Sequence, residues 1–154
     1  MSETTQTRPM KKVSDSALET YHIIQPADLN AAGRLFGGTL MCWIDEVAAL
    51  VARRHSQRAV TTGSVDKLTF LNAAYQMDTI VLSGKVCYVG NTSMVVKVES
   101  FVERITGERD KINRAFLTLI ALDEHEKPTQ VPGLIVETDE EKADWEKIEK
   151  HKKK

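Results

Sequence analysis

The sequence predicts an α+β domain, with one long helix followed by antiparallel strands. Three observations carry this reading. The segment from Leu40 to His55 lacks Pro and Gly and is rich in Ala and Leu, a composition that favours helix. Four later runs, 59–71, 79–89, 93–104 and 113–123, are rich in Val, Ile, Leu, Phe and Thr, with polar or glycine-containing breaks between them, as strands are. Two of those breaks, Gly90-Asn91 and the stretch Thr106 to Asp110, are hairpin signals, so the runs should pair as an antiparallel meander of four strands.

Taken in order, residues 1–16 are polar and contain a Pro, which predicts a mobile arm. A folded domain over 17–134 and a charged helical tail over 135–154 follow. Tyr21 to Gln25 is a short strand, stopped by Pro26, which has no backbone N–H to offer a ladder. Residues 26–37 form a loop with turn chemistry at Asp28, Asn30 and Gly33. Around the long helix the apolar positions run nearly all the way round at about 100° per residue, the pattern of a helix buried on most sides. Arg53, Arg54 and His55 close it with cations, as the dipole prefers. The tail carries its acids early and its lysines late, again in dipole order. Glu146–Lys150 and Glu149–Lys153 are spaced as i,i+4 pairs, and Trp145 and Ile148 could dock the tail on the body.

Composition excludes several classes. A chain of 154 residues is one domain. Lys and Arg total 21 against 22 Asp and Glu, a net charge of -1, so the excess of basic side chains that nucleic-acid binding needs is missing. The longest apolar run, Val47 to Ala52, is far shorter than the roughly 20 residues of a membrane span. With no apolar leader after the polar start, the expected compartment is the cytosol. Cys42 and Cys87 have no Cys or His partner at ligand spacing, so they are expected as reduced, buried thiols and no metal site is expected.

Asp45 is the residue that does not fit a buried helix. On the wheel it shares a face with Met41, Ala48, Ala49 and Ala52, so it must be paired, protonated or facing a polar cavity. A purely structural acid, held by a hydroxyl or an Arg across an interface, explains it as well as a catalytic one on periodicity alone. Gly37 and Gly38 at the helix start present free N–H groups backed by the positive dipole end, a ready site for an oxyanion. Asp45 lies about 10 Å along the axis from that site, too far for one water to bridge. Either a loop or a second copy of the helix must close the gap.

The stretch from Asn30 to Ala48, with its Asn, Gly-Gly and Asp, resembles the signature of the hotdog-fold acyl-CoA thioesterases. It is most similar to the hexameric bacterial and brain-type acyl-CoA hydrolases. The likeness continues through Val60 to Phe70, Ser83-Gly84 and Gly90 to Met94, and covers roughly residues 18–133. It implies a hotdog fold, a long central helix wrapped by an antiparallel β-sheet, here with a C-terminal helix added. It implies edge-to-edge dimers assembling as a trimer of dimers, with active sites shared between partners. Asp45 would be general base, or less readily nucleophile. Asn30 of the partner subunit would orient water or carbonyl, Gly37 and Gly38 would hold the oxyanion, and Thr62 would touch the acid or the water. Gly90, Asn91, Thr92 and Ser93 would form a loop near coenzyme A, with Lys67, Arg54 and Arg58 as candidate phosphate partners. Coenzyme A would enter as part of the substrate, with no further cofactor, no nucleic acid and no membrane as partner. Two departures stand out: Phe36 occupies a position where many relatives have His, and Leu71 one where the family has a polar residue.

A non-catalytic acyl-CoA-binding hotdog module is the alternative; the joint presence of Asn30, Asp45 and Thr62 speaks against it, since binding needs no base. A dehydratase would need a His paired with an acid, and no His precedes Arg53 on the helix. No G-x-S-x-G elbow is present, which excludes that serine-hydrolase pattern.

Overall fold

The computed structural model describes residues 7–152. Its centre is helix α2 (Gly37–Ser56), after strands β1 (Met10–Lys12) and β2 (Leu18–Ile23) and the single-turn helix α1 (Val13–Ser16). Strands β3 (Ala59–Phe70), β4 (Thr79–Val89), β5 (Ser93–Glu103), β6 (Arg109–Leu122) and β7 (Gly133–Ile135) follow, then helix α3 (Asp139–Lys152). Five strands form one antiparallel sheet in the order β2-β4-β5-β6-β3, which wraps α2.

The expected four-strand meander is therefore corrected. β4, β5 and β6 do follow one another through tight turns, but β3 pairs with β6 at the far edge and β2 adds a fifth strand beside β4. The connection 71–78 carries the chain from edge strand β3 across the sheet to β4, next to the opposite edge. The first strand also sits earlier than Tyr21–Gln25. Ile24 leaves the ladder, is fully buried, and gives its N–H to Asp78 O at 3.0 Å.

Helix α2 starts one turn before Leu40, because Gly37, Gly38 and Thr39 already take helical geometry after an extended Phe36. It ends where Gln57 turns left-handed (φ 57°) and its N–H meets Arg53 O at 2.7 Å, a common helix stop. Its buried residues are Leu40, Ile44, Val47, Ala48, Val51, Ala52, His55 and the terminal Ser56, essentially a single stripe at i, i+4, i+7 and i+8. Burial on most sides is thus corrected to burial on one. The sheet covers that stripe and leaves Met41, Cys42, Asp45, Glu46 and Leu50 exposed. The stripe meets alternate residues of β4, β5 and β6, such as Ile80, Leu82, Val96, Val98, Leu117 and Leu119.

Helix and sheet come closest at Gly84. A Cβ there would lie 2.6 Å from Val47 Cγ1 and 3.0 Å from Val51 Cγ2. Gly84→Ala is expected to destabilise the fold by about 1–3 kcal/mol through overpacking, read as a lower midpoint in chemical denaturation; an unchanged midpoint would contradict this packing.

The mobile arm expected over 1–16 is ordered from residue 7; residues 1–6 lie outside the described residues. β1 pairs parallel with β7. Arg8 Nε and Nη2 donate to Val131 O at 2.7 Å and Gly90 O at 2.6 Å, and Val13 and Ser16 are buried beside the end of α2. Beneath this strap His55 is fully buried, with Nε2–H donating to Pro132 O at 2.9 Å and, among the described residues, no partner for Nδ1. Burial pushes its pKa down, against the Pro132 hydrogen bond, because a second proton on Nδ1 would find no acceptor. The unfolded chain then takes up the proton first. Stability is full above about pH 6.5 and declines as pH falls from there toward the depressed native value. Denaturation midpoints between pH 7.5 and 5 should show this slope, and His55→Gln, which keeps a donor, should flatten it; an equal slope in both would contradict it.

The tail helix is seated rather than free. On the outer face of the sheet, nearly buried Lys97 meets Asp144 at 2.5 Å and Glu140 at 3.2 Å, and Lys85 meets Glu140 at 3.1 Å. Trp145 packs on Tyr88 with ring centroids 4.4 Å apart, and Ile148 lies on Cys87, Val95 and Phe116. Trp145 Nε1–H donates to Glu149 at 2.9 Å; Lys153, the expected partner of Glu149, lies outside the described residues.

Candidate active site

β3 runs beside α2 at the sheet edge, and between them lies a groove of about 420 Å³. Asp45 and Thr62 stand on its walls, and Thr62 Oγ1–H donates to Asp45 Oδ1 at 2.7 Å. The pairing of β3 with β6 shifts register between Thr62 and Ser64, and such a bulge re-aims neighbouring side chains. Among the described residues Asp45 Oδ2 has no hydrogen-bond partner, so it is the oxygen left to act on a molecule in the groove. Asp45 is paired, one of the three states its place on the apolar face allowed. It is exposed along this rim, because the sheet covers only the opposite side of α2.

Met41, Ile44, Val65, Leu68 and Leu117 make the rest of the groove apolar, with Gly38 and Cys42 alongside. Cys42 is thus exposed rather than buried, while Cys87 is buried and its thiol is pushed up to about 12 by that burial. Sequence reasoning missed most of this wall. Met41 was readable, one turn before Asp45. Val65 and Leu68 were not, since a second bulge between Asp66 and Thr69 breaks the alternation.

Gly37 and Gly38 form the first turn of α2, and the N-cap residue, Phe36, has no side chain that could cap their N–H groups. Phe36 and Phe70 stand over them: a Cβ on Gly38 would lie 2.6 Å from Phe36 Cε1, and one on Gly37 3.5 Å from Phe70 Cζ. Both rings are about half exposed. Phe36 thus forms an apolar lip where a His would have been polar.

Asn30 sits in the loop before α2 and is exposed. Its Oδ1 accepts the N–H groups of Ala32 at 2.9 Å and Arg34 at 3.1 Å. That use of Oδ1 leaves the Nδ2 hydrogens as the outward donors. Asn30 does not line the groove that holds Asp45 of its own chain.

The candidate coenzyme contacts do not form one cluster. Asn91 in the Gly90–Ser93 turn accepts from Gln130 at 3.1 Å, and Gly90 N–H meets Ser93 O at 2.9 Å. Arg58, at the same end of the sheet, pairs with Glu124 at 3.7 Å. Arg54 Nη1 donates to Ala17 O at 3.4 Å and so is tied to the N-terminal strap. Lys67 lies further along β3, in a left-handed turn (φ 52°), and lines a different cavity. Among the described residues no group of His, Cys, Asp or Glu could hold a metal ion, and no helix is long and apolar enough to cross a membrane.

Residues 32–107 match the family model described as thioesterase superfamily. An uncharacterized acyl-CoA thioester hydrolase, YkhA of Bacillus subtilis, is 40% identical over 140 residues, covering 90% of this chain and 80% of that protein. The chain belongs to the thioesterase superfamily. Its hotdog architecture is shared with solved members. A Staphylococcus aureus acyl-CoA hydrolase in complex with butyryl coenzyme A, coenzyme A and its disulfide matches with TM-score 0.88 at 35% identity, covering 94% of this chain and 91% of that one. An apo hexameric acyl-CoA thioesterase matches with TM-score 0.90 at 37% identity, covering 94% of both chains. The superfamily sequence frame places Asp45, Thr62 and the Gly-Gly helix start inside the matched segment, and Asn30 just before it.

Proposed function

We propose that this protein hydrolyses acyl-CoA thioesters to free acid and coenzyme A. The observation that carries the reading is the 2.7 Å hydrogen bond from Thr62 to Asp45 on the wall of an apolar groove. It fixes one carboxylate oxygen and leaves the other for water. Asp45 takes a proton from that water as its oxygen attacks the thioester carbonyl. The carbonyl oxygen gains charge, which the N–H groups of Gly37 and Gly38 stabilise together with the helix dipole. The C–S bond then breaks and the thiolate leaves with the proton held by Asp45. A thiol of pKa about 8.5 is a good leaving group near neutral pH, so no triad or metal is needed.

One chain alone cannot supply both halves, because Gly38 and Asp45 are about 10 Å apart along one helix axis. Two protomers pairing through the β3 edges supply the rest: Asn30, Gly37 and Gly38 from one protomer work with Asp45 of the partner subunit. Val65, Phe70, Met41 and Leu50, exposed in the single chain, are the apolar surface such pairing would cover. Three such pairs make a hexamer, and one of the solved relatives is hexameric. The acyl chain takes the apolar groove, coenzyme A comes with the substrate, and the compartment is the cytosol. The turn Gly90–Ser93 with Arg58 is the better candidate for the coenzyme, since these residues share one end of the sheet.

Free-thiol release from acyl-CoAs of increasing chain length tests the reading. Turnover with at least part of the panel is the expected result. Rates equal to the uncatalysed background throughout would leave the binding-module alternative.

A further inference from the structure

The core contains a polar pair that packing does not explain. Ser100 on β5 and Asn113 on β6 are register partners, and both are fully buried. Among the described residues neither Ser100 Oγ nor Asn113 Oδ1 has a hydrogen-bond partner. Buried oxygens left unpaired cost stability that apolar residues of the same size would not. What Asn113 does make is a bond from its Nδ2–H to Thr69 O at 2.9 Å. A carbonyl can only accept, so this bond fixes which way the amide points. The partner lies where β3 needs holding. That strand leaves its ladder with β6 after Asp66, turns left-handed at Lys67 (φ 52°), and rejoins at Thr69 and Phe70. The Asn113 amide pins the rejoining end, together with the Leu71 N–H, which meets Ile112 O at 2.8 Å. The pinned segment carries Leu68, a wall of the groove, and Phe70, whose ring stands against Gly37.

We propose that Asn113 is a positioning residue for thioester hydrolysis. It lines no part of the groove; it holds Thr69 so that Phe70 keeps its ring over the first turn of α2. A Cβ on Gly37 would lie 3.5 Å from Phe70 Cζ, so the ring is in contact range of the residue that starts the helix. There it keeps water away from the N–H groups of Gly37 and Gly38, and donors to an oxyanion act most strongly where they are fixed and dry. Without the amide, the nearest ladder pairing before the bulge is Asp66 with Phe116, and the segment between is free to shift. A displacement of about 1 Å at a reacting centre costs up to about 10²-fold in rate. The assignment rests on the hydrolytic reading given above.

Asn113→Leu combined with Ser100→Ala tests it, since the pair removes the amide and both orphaned oxygens while keeping the core filled. Far-UV circular dichroism should stay native, kcat for thiol release should fall about tenfold or more, and KM should stay within about threefold. Phe70→Leu, which keeps the β3 edge apolar, should lower kcat by a similar factor. In the Phe70→Leu background, loss of Asn113 should cost less than about twofold more, because both changes break the same link. A merely structural amide would give losses that multiply. Should the core pair fail to fold, Asn113→Ala takes its place in every reading. Amide hydrogen exchange supplies a readout without turnover: Leu71 should exchange about tenfold faster once Asn113 is replaced. Faster exchange in a chain with no thioesterase activity would place the failure in the hydrolytic reading and not in the hold on β3. An unchanged kcat, losses that multiply with Phe70→Leu, or unchanged exchange at Leu71 would each overturn the inference.

Discussion

Asp45→Asn is expected to lower kcat for acyl-CoA hydrolysis by about 10²–10⁴-fold, the usual worth of a positioned general base. The amide keeps the size of the side chain and can still bond Thr62, but it cannot take a proton from water. KM should stay close to the wild-type value, because the groove's apolar wall is untouched. Thr62→Ala should cost less, roughly tenfold in kcat, the scale of one hydrogen bond to a charged group. Thr62→Ser should recover most of that loss by restoring the hydroxyl that now lies 2.7 Å from Asp45. Thiol release under saturating substrate measures all three. A wild-type rate in Asp45→Asn would remove the base from the mechanism while leaving the enzyme intact.

Charging the open edge is expected to abolish both assembly and activity. Val65 and Phe70 are exposed on β3 in the single chain, and two-fold pairing of that edge would bring the two copies of the strand together. Val65→Lys with Phe70→Lys would then place like charges in an apolar contact at every pair. Sedimentation velocity should show the assembly reduced to single chains, far-UV circular dichroism should be retained, and thiol release should fall to background. The core is spared because neither side chain packs within the stripe of α2 or its facing strands. A double variant that stays assembled and active would show that this edge is not where the protomers meet.

Much of the framework was legible in the sequence because it depends on local chemistry. The break-free run after Gly37-Gly38 marked the central helix, Gly90-Asn91 marked one hairpin, and the early acids and late lysines marked α3. Strand order was less legible. Nothing local in 59–71 says that it pairs with β6 rather than β4, since that depends on the path of residues 71–78. How far the central helix is buried was also misread. A wheel shows which residues share a face, but not which face a sheet will cover, and the apolar positions beside Asp45 are divided between core and edge. The ordered strap over 7–16 depends on Arg8 reaching two distant carbonyls, a contact that no local pattern encodes. Of the candidate site residues, Asn30, Gly37, Gly38, Asp45 and Thr62 stood out through their order along the chain. The groove wall did not, because bulges on both sides of Val65 hide its alternation.

The shared site is tested most directly by mixing two defective subunits. Asn30→Ala and Asp45→Ala proteins, each close to inactive alone, are unfolded together, refolded as a mixture and assayed for thiol release. In a mixed dimer one of the two sites unites Asn30 of one protomer with Asp45 of the partner subunit, and random pairing gives about one quarter of wild-type activity. Recovery near that level is the result this account predicts. A mixture no more active than its two components, with wild-type protein regaining full activity under the same refolding, would place both residues in one chain's site and contradict it.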